Sequence, residues 1–245
     1  MSAGGVSTGV TIEPRLAGSD PSVVWCETFV SLQGEGPLAG QRAAFVRFAH
    51  CNLTCVWCDT GYSWDWAKFC RERETRRGPV VEIASWVCAQ GVDLVVVTGG
   101  EPMLQQGALQ ALAELCAPAR VQVETNGTRI PNTGLATVVD LFVVSPKLAN
   151  SGVARHRRIV PAALRALAAA GSVAWKFVAV GPDDLHEIDV LVTAYGLAPV
   201  WVMPEGTTAE QVLDRARCLA DPVLDRGWHF SLRMHTLLWG DRRGR

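Results

Sequence analysis

The sequence has almost no net charge and no hydrophobic run of membrane length. Lys and Arg number 23 against 24 Asp and Glu, which gives a formal net charge of -1. Such a chain has no overall field to hold a polyanion, so we expect a small-molecule partner and not nucleic acid. No uninterrupted run of about 18 apolar residues occurs. The N-terminus also lacks the basic start and apolar stretch of a signal peptide, so we expect a cytoplasmic protein without membrane association.

The composition is that of a globular enzyme, with 49% hydrophobic and 19% charged residues in 245. The beginning of the chain is rich in Gly, Ser and Thr and has no periodicity, so we expect residues 1–21 to form a flexible tail. No linker-like stretch follows it. Residues 22–245 are therefore expected to form a single domain.

Extended runs alternate with helical patterns from residue 22 onward. The patterns predict strands over 23–30, 42–48, 92–99, 120–126, 138–146, 173–180, 199–204 and 228–234, and helices over 80–90, 104–117, 161–170, 183–195 and 207–220. Continuous apolar strands indicate a parallel sheet covered by helices, which makes the fold α/β. A barrel, part of one, or a doubly wound open sheet would each give this pattern. Polar residues after four of the strands favour the barrel, because its strand ends converge on one face.

Eight cysteines occur, and five of them are scattered singly, as expected of small buried residues in a reducing compartment. The other three, Cys51, Cys55 and Cys58, form a C-x3-C-x2-C segment directly after the predicted strand 42–48. A structural zinc site would need a fourth ligand, and His50 adjoins Cys51 too closely for good tetrahedral geometry. A four-cysteine iron-sulfur site also lacks its fourth thiolate. Three thiolates do suit a [4Fe-4S] cluster whose fourth iron binds S-adenosylmethionine (SAM).

Seven short sequence blocks stand out, one of which contains the three cysteines. They are SLQGEG (31–36), FVRF (45–48), CNLTCVWCDT (51–60), TGGEP (98–102), ETNG (124–127), SPK (145–147) and RMHTLLWG (233–240). Together they resemble the 7-carboxy-7-deazaguanine synthase family of radical SAM enzymes. The resemblance implies a partial (β/α)6 TIM-type barrel with a modified radical SAM core, and a homodimer. It also implies a lyase reaction: 6-carboxy-5,6,7,8-tetrahydropterin becomes 7-carboxy-7-deazaguanine with loss of ammonia, in 7-deazapurine and queuosine biosynthesis.

The resemblance implies a role for each matched residue. The [4Fe-4S] cluster is held by Cys51, Cys55 and Cys58, and Mg²⁺ is bound by Thr60. The pterin substrate contacts Leu32, Gln33, Gly34, Glu35, Arg47 and Thr98. SAM contacts Gly100, Glu101, Ser145, Lys147, Met203, Pro204, Glu205 and Gly206. A flavodoxin or ferredoxin type of electron donor is implied as well.

Chemistry supports two of these assignments in particular. The guanidinium fork of Arg47 suits a planar carboxylate, and the carboxylate of Glu35 could accept two parallel N–H bonds from the guanidine-like edge of the pterin. One segment departs from the family, which commonly has Gln-Pro-Met-Asp where this chain has Met-Pro-Glu-Gly at 203–206. A backbone contact would survive that change, whereas a side-chain contact to adenosine is in doubt.

Several questions stay open at the level of sequence. Lys176 is the single charge inside an otherwise apolar predicted strand, and Glu124 ends another; they could serve the site or pair with each other. His235 could approach the substrate or be a core histidine. An activase that installs a glycyl radical shares the cysteine spacing, and a non-catalytic zinc or iron-sulfur module is a further alternative. No residue distinguishes queuosine from another deazapurine product.

Overall fold

The structure is a computed structural model, and it describes residues 21–245. The tail expected at the N-terminus therefore lies outside the described residues, apart from its last position. No helix within residues 21–245 is long and apolar enough to cross a membrane.

Nine strands and nine α-helices follow one another along the described part of the chain. The strands are β1 Ser22–Leu32, β2 Arg42–Phe48, β3 Arg76–Pro79, β4 Leu94–Gly99, β5 Arg120–Thr125, β6 Leu141–Val144, β7 Val173–Ala179, β8 Val200–Pro204 and β9 His229–Phe230. The helices are α1 Arg71–Glu74, α2 Val80–Ala89, α3 Gln106–Cys116, α4 Thr133–Val138, α5 Arg155–Arg158, α6 Pro161–Ala168, α7 Asp184–Tyr195, α8 Ala209–Leu224 and α9 Met234–Trp239.

All nine strands form one sheet in the order β3-β1-β2-β4-β5-β6-β7-β8-β9. From β2 to β9 every neighbouring pair is parallel, whereas β1 runs antiparallel to both β2 and β3. The strands from β4 onward stand side by side in chain order, as in a barrel wall, whereas a doubly wound sheet reverses direction at a switch point. The sheet does not close, because among the described residues β3 and β9 are its two edges. This confirms the prediction of an α/β partial barrel.

Alternate residues of each parallel strand face opposite sides of the sheet. In β4, Val95 and Val97 belong to the large core that packs beneath the helices, together with Trp175 and Phe177 of β7. Their neighbours in sequence face the other side, where a small apolar cluster is formed by Ala43, Phe45, Leu94 and Val96. Burial on both faces is the reason that these strands are continuous apolar runs. Buried polar side chains also lie on the face of the small cluster, among them Gln122 within β5 and Lys176 within β7.

Two predicted strands are much shorter in the structure. The stretch 138–146 shrinks to β6 because α4, which Asn132 caps, extends to Val138, and the Val139 backbone N–H still donates to the Leu135 carbonyl at 3.2 Å. The stretch 228–234 shrinks to β9, after which the chain turns into α9. In both places a local helix start competes with β-branched or aromatic residues that favour a strand.

Candidate active site

A cavity of about 220 Å³ lies at the carboxyl ends of the parallel strands. Its walls combine all three cysteines of the C-x3-C-x2-C segment with polar residues from β2, β4, β5 and β7. The predicted site residues that line it are Leu32, Gln33, Gly34, Glu35, Arg47, Cys51, Cys55, Cys58, Thr60, Thr98, Gly100, Ser145, Lys147 and Met203. The fold therefore gathers into one space residues that the chain separates by up to 171 positions, as the span from Leu32 to Met203 shows.

The cysteine loop begins directly after β2. His50 adopts a φ of 76°, which turns the chain sharply, and its backbone N–H donates to the Ser63 carbonyl at 2.7 Å. Its ring packs edge-on against Trp66 at 5.8 Å between ring centroids. His50 is not among the residues that line the cavity, so the structure gives no support to His50 as a fourth ligand.

Two of the three thiols accept N–H hydrogen bonds of the kind that iron-sulfur clusters receive. The Leu53 backbone N–H donates to Cys51 Sγ at 3.4 Å, and the Trp64 indole N–H donates to Cys58 Sγ at 3.3 Å. Such donors stabilise negative charge on cluster sulfur atoms. Burial raises the pKa of Cys51 to about 12, so cluster binding must displace a proton from this thiol. Within residues 21–245 no three His, Cys, Asp or Glu side chains form a ready-made site for a single metal ion.

The TGGEP loop lies directly against the cysteine loop. A Cβ atom on Gly100 would stand 2.2 Å from the His50 carbonyl oxygen and 2.9 Å from Cys51 Cβ, so only glycine fits there. The Gly100 and Glu101 backbone N–H groups donate to the carbonyls of Phe48 and His50 at 3.1 and 2.7 Å. The TGGEP loop is thus joined through its backbone to the end of β2 and to His50, the residue before Cys51.

Glu101 is fully buried and does not line the cavity. Its Oε1 accepts hydrogen bonds from the Met103 N–H at 2.9 Å and the Thr125 hydroxyl at 2.8 Å, and its Oε2 accepts from the Asn126 N–H at 2.6 Å. Burial is the largest influence on this carboxyl and raises its pKa. Glu101 therefore joins the TGGEP and ETNG loops by hydrogen bonds and does not face the cavity, whereas the resemblance implied that it contacts SAM.

Glu35 is the centre of a buried ionic cluster. Its carboxylate contacts the Lys176 ammonium, accepts a hydrogen bond from Arg233 Nε at 3.2 Å, and lies 3.8 Å from His235 Nε2. Burial alone would raise the pKa of Glu35, but the charges of Lys176, Arg233 and His235 outweigh it and hold that pKa well below its usual range. Because both of its oxygens already have cationic partners, Glu35 is occupied within the protein.

Glu124 presents its carboxylate to the cavity beside this cluster. Gln33 Nε2 donates to Glu124 Oε1 at 3.1 Å and the Thr98 hydroxyl donates to Oε2 at 3.0 Å, while Lys176 Nζ lies 3.8 Å away. Burial alone would lower the pKa of Lys176, but Glu124 and Glu35 outweigh it, so the net shift is upward and the ammonium stays charged. The sequence left open whether Lys176 and Glu124 serve the site or pair with each other. In the structure they do both, because they approach each other and both line the cavity.

Arg47 of β2 is held from behind by Glu27 of β1. The antiparallel register places the two residues opposite each other, and Arg47 Nε donates to Glu27 Oε1 at 2.7 Å. Glu27 is itself held by the Tyr62 hydroxyl at 2.7 Å and by Arg243 Nε at 2.9 Å. Within the part of the chain that the structure describes, the two terminal nitrogens of Arg47 donate no hydrogen bond, so they are free to bind a ligand in the cavity.

The two segments assigned to SAM differ in how they meet the cavity. Lys147 Nζ donates to Ser145 Oγ at 3.0 Å and lies 5.5 Å from the Trp57 ring centroid, so this segment faces the cavity. In the second segment Met203 lines the cavity, whereas the Glu205 carboxylate turns away to an ion pair with Arg215 of α8. Pro204 and Gly206 do not line it either.

Three charged residues that line the cavity were not singled out from the sequence: Asp59, Arg233 and Arg245. Arg233 is 8% exposed, and it contacts the Asp59 carboxylate and donates to the Gly206 carbonyl at 2.5 Å. A signal for it existed, since Arg233 opens the RMHTLLWG block, but the extended pattern placed it in a strand. His235 also lines the cavity, and burial lowers its pKa despite the nearby Glu35 carboxylate.

The cavity carries an excess of positive charge. Among the described residues that line it, five side chains are cationic and three are acidic. The cations are Arg47, Lys147, Lys176, Arg233 and Arg245, and the acids are Glu35, Asp59 and Glu124. An anionic ligand is therefore favoured in it.

A three-thiol cavity at the mouth of a partial barrel defines a radical SAM protein, and the sequence model of the radical SAM superfamily matches residues 45–217. Curated relatives narrow this class. Proteins named 7-carboxy-7-deazaguanine synthase from Pyrobaculum aerophilum, Halobacterium salinarum and Rhodopirellula baltica are 37%, 36% and 35% identical. The alignments cover 92%, 91% and 92% of this chain and 98%, 93% and 90% of those proteins. The chain therefore belongs to the 7-carboxy-7-deazaguanine synthase family of the radical SAM superfamily.

Solved structures agree on the fold. The crystal structure of QueE from Escherichia coli has a TM-score of 0.68 at 24% identity, and covers 87% of this chain and 95% of that one. SuiB from Streptococcus suis bound to its precursor peptide has a TM-score of 0.53 at 14% identity, and covers 77% of this chain but 48% of that one. Membership of the superfamily carries with it a [4Fe-4S] cluster and SAM, and it makes the zinc-module alternative untenable.

Proposed function

We propose that this chain converts 6-carboxy-5,6,7,8-tetrahydropterin to 7-carboxy-7-deazaguanine with loss of ammonia, as a step of 7-deazapurine and queuosine biosynthesis. The observation that carries the proposal is the composition of the cavity. Three cysteine thiols share it with a hydrogen-bonded carboxylate and an arginine whose terminal nitrogens are free. Residues 22–245 act as one domain in this proposal.

The cluster would be held by Cys51, Cys55 and Cys58, and SAM would lie against Gly100, Ser145, Lys147 and Met203. When bound, these cofactors would supply radical chemistry that begins with removal of a hydrogen atom from the substrate. The chain's own contribution is placement. Gly100 keeps the space beside Cys51 free of side-chain atoms, and Lys147 offers an ammonium to an anionic group.

Arg47 would bind the substrate carboxylate with its two terminal nitrogens. Glu27 occupies Nε on the opposite side of the guanidinium, which prevents rotation of the fork away from the cavity. Since bidentate Arg–carboxylate contacts fix orientation as well as charge, this pair would set the direction in which the pterin enters.

Glu124 would accept the N–H groups of the guanidine-like pterin edge. Thr98 and Gln33 each donate to it, which fixes the carboxylate plane before the substrate arrives. Glu35 takes a supporting part in this arrangement, because its oxygens already bind Lys176 and Arg233. The side chain of Gln33 likewise acts by positioning Glu124.

Four further features belong to the proposal. Thr60 lines the cavity with its hydroxyl 3.5 Å from Cys58 Sγ, and it would bind Mg²⁺, a hard cation that prefers oxygen ligands. A flavodoxin or ferredoxin type of protein would supply the electron. The active form would be a homodimer, which light scattering of the purified protein would test. The cytoplasmic location stays a prediction from sequence.

Anaerobic reconstitution with iron and sulfide tests the function directly. The reconstituted protein is incubated with dithionite, SAM, Mg²⁺ and 6-carboxytetrahydropterin, and products are identified by mass spectrometry. We expect 7-carboxy-7-deazaguanine, and we expect Cys55→Ala to lose both the visible cluster absorbance and the product. Cys218→Ala, which removes an exposed cysteine of α8, is the matched control and should keep both. Formation of 5′-deoxyadenosine without the deazaguanine product would retain the radical chemistry and refute the substrate.

A further inference from the structure

The cysteine loop reaches the protein surface beside α5. Val56, between two of the cluster cysteines, is 76% exposed. Its backbone N–H donates to the Ser151 carbonyl at 3.0 Å, which attaches the tip of the loop to the segment that leads into α5. Arg157 of α5 donates from Nη2 to the Asn52 carbonyl at 2.9 Å, within the same loop. The tip of the cysteine loop is thus exposed to solvent and attached to residues 151–157 by two hydrogen bonds.

The surface around this loop is basic. Arg155, His156 and Arg157 are exposed on α5, and Arg129 is exposed directly after Thr128, whose hydroxyl accepts a hydrogen bond from Asn52 at 2.8 Å. We call these four residues together with Val56 the α5 surface. Of these residues, Arg155 lies 3.8 Å from the carboxylate of Glu187. Among the described residues no carboxylate lies within 4 Å of Arg129, His156 or Arg157.

The substrate and SAM do not account for this positive charge. None of the five residues of the α5 surface lines the cavity. The whole chain has a formal net charge of -1, so a group of cations without matching acids is a local feature. Glu187 is shared with Arg158, which is buried and pairs with it at 2.7 Å, so the acid is already engaged from inside.

We propose that the α5 surface docks the electron donor, and that the donor is a small acidic electron-transfer protein. An exposed apolar side chain on the same surface as several cations suits such a partner, because the charges steer the encounter and the apolar side chain excludes water. One electron passes from the reduced donor to the cluster, so the donor is oxidised and the cluster is reduced, with no bond formed or broken. This inference rests on the proposed function, since it presumes a cluster that must be reduced.

The test compares two reductants on the reconstituted holoenzyme. Arg129→Glu/Arg155→Glu reverses two charges of the α5 surface without changing the Arg157 contact to the cysteine loop. We expect the KM for a reduced acidic flavodoxin to rise about tenfold or more, because like charges now face each other. Turnover with dithionite should stay at the wild-type level. The control variant Arg76→Glu/Arg217→Glu makes the same change of charge at exposed positions elsewhere. It should leave the KM for flavodoxin and the turnover with dithionite unchanged.

Binding provides a readout that does not depend on turnover. Oxidised flavodoxin should bind the wild-type holoenzyme more weakly as salt rises from about 50 to 300 mM, because screening shortens the reach of these charges. The charge-reversed variant should bind weakly at every salt concentration. Unchanged donor KM and binding in the variant would overturn the docking site, and so would wild-type binding that does not respond to salt. Failure of the dithionite reaction in the wild-type protein would instead refute the proposed function.

Discussion

Replacement of Glu35 by glutamine should destabilise the protein through the cations it leaves behind. Lys176 and Arg233 have side chains 6% and 10% exposed, and the Glu35 side chain is 13% exposed. Removal of one partner from a buried ion pair costs about 3 to 5 kcal/mol. Lys176 keeps Glu124 at 3.8 Å, so we expect the lower end, about 3 kcal/mol. For a domain of this size that corresponds to a fall in Tm of about 6 to 12 °C.

Thermal unfolding of the reconstituted protein, followed by circular dichroism under anaerobic conditions, measures this effect. Asp214→Asn removes the acid of an exposed pair with Arg217, whose side chains are 62% and 73% exposed, and should change stability by no more than about 0.5 kcal/mol. The addition of Lys176→Met to Glu35→Gln removes one stranded cation and should recover part of the loss. A Glu35→Gln variant with the Tm of wild type would refute the argument.

The pH dependence of the same comparison has a definite sign. The folded-state pKa of Glu35 is depressed, so its stabilising effect is complete above the ordinary value of 4.5 and is lost as the pH falls through the folded-state pKa. The stability difference between wild type and Glu35→Gln should therefore be constant near neutral pH and should shrink below about pH 4.5. A difference that grew in acid would contradict the assignment of Glu35 as an ionised partner.

Three further predictions concern the cavity walls. Glu27→Gln should raise the KM for the pterin and leave the cluster absorbance intact, because it loosens Arg47; an unchanged KM would remove its positioning role. Gly100→Ala should lower iron content after reconstitution, because its Cβ would clash with backbone at 2.2 Å, while Gly107→Ala, with nothing within 4 Å, is the control that should bind iron normally. Thr60→Ala should reduce the stimulation by Mg²⁺ and Thr60→Ser should retain it, so equal Mg²⁺ dependence in all three proteins would refute the Thr60 ligand.

The sequence was sufficient for the fold class because strand and helix patterns can each be recognised within a short stretch of the chain. Continuous apolar strands alternate with helical patterns, and that alternation demands a helix-covered parallel sheet. It failed where short-range effects compete, as at α4 and in the predicted strand 228–234, which ends after two paired residues. The sequence also did not reveal that β1 runs antiparallel to β2 and β3, since the direction of a strand depends on the neighbour with which it pairs in the sheet.

For the site, the sequence by itself predicted the cluster ligands, because Cys51, Cys55 and Cys58 lie within one loop and their spacing is the signal. Only the tertiary structure decided which distant charges meet. The Arg233 and Glu35 side chains are 198 positions apart and share a hydrogen bond because the chain after β9 returns to the SLQGEG segment, where the Met234 backbone N–H donates to the Gly34 carbonyl at 2.9 Å. It also turned Glu101 and Glu205 away from the cavity. A carboxylate in a strand-end loop can point to either side, and the neighbours that decide this, Asn126 for Glu101 and Arg215 for Glu205, come from other elements of the fold.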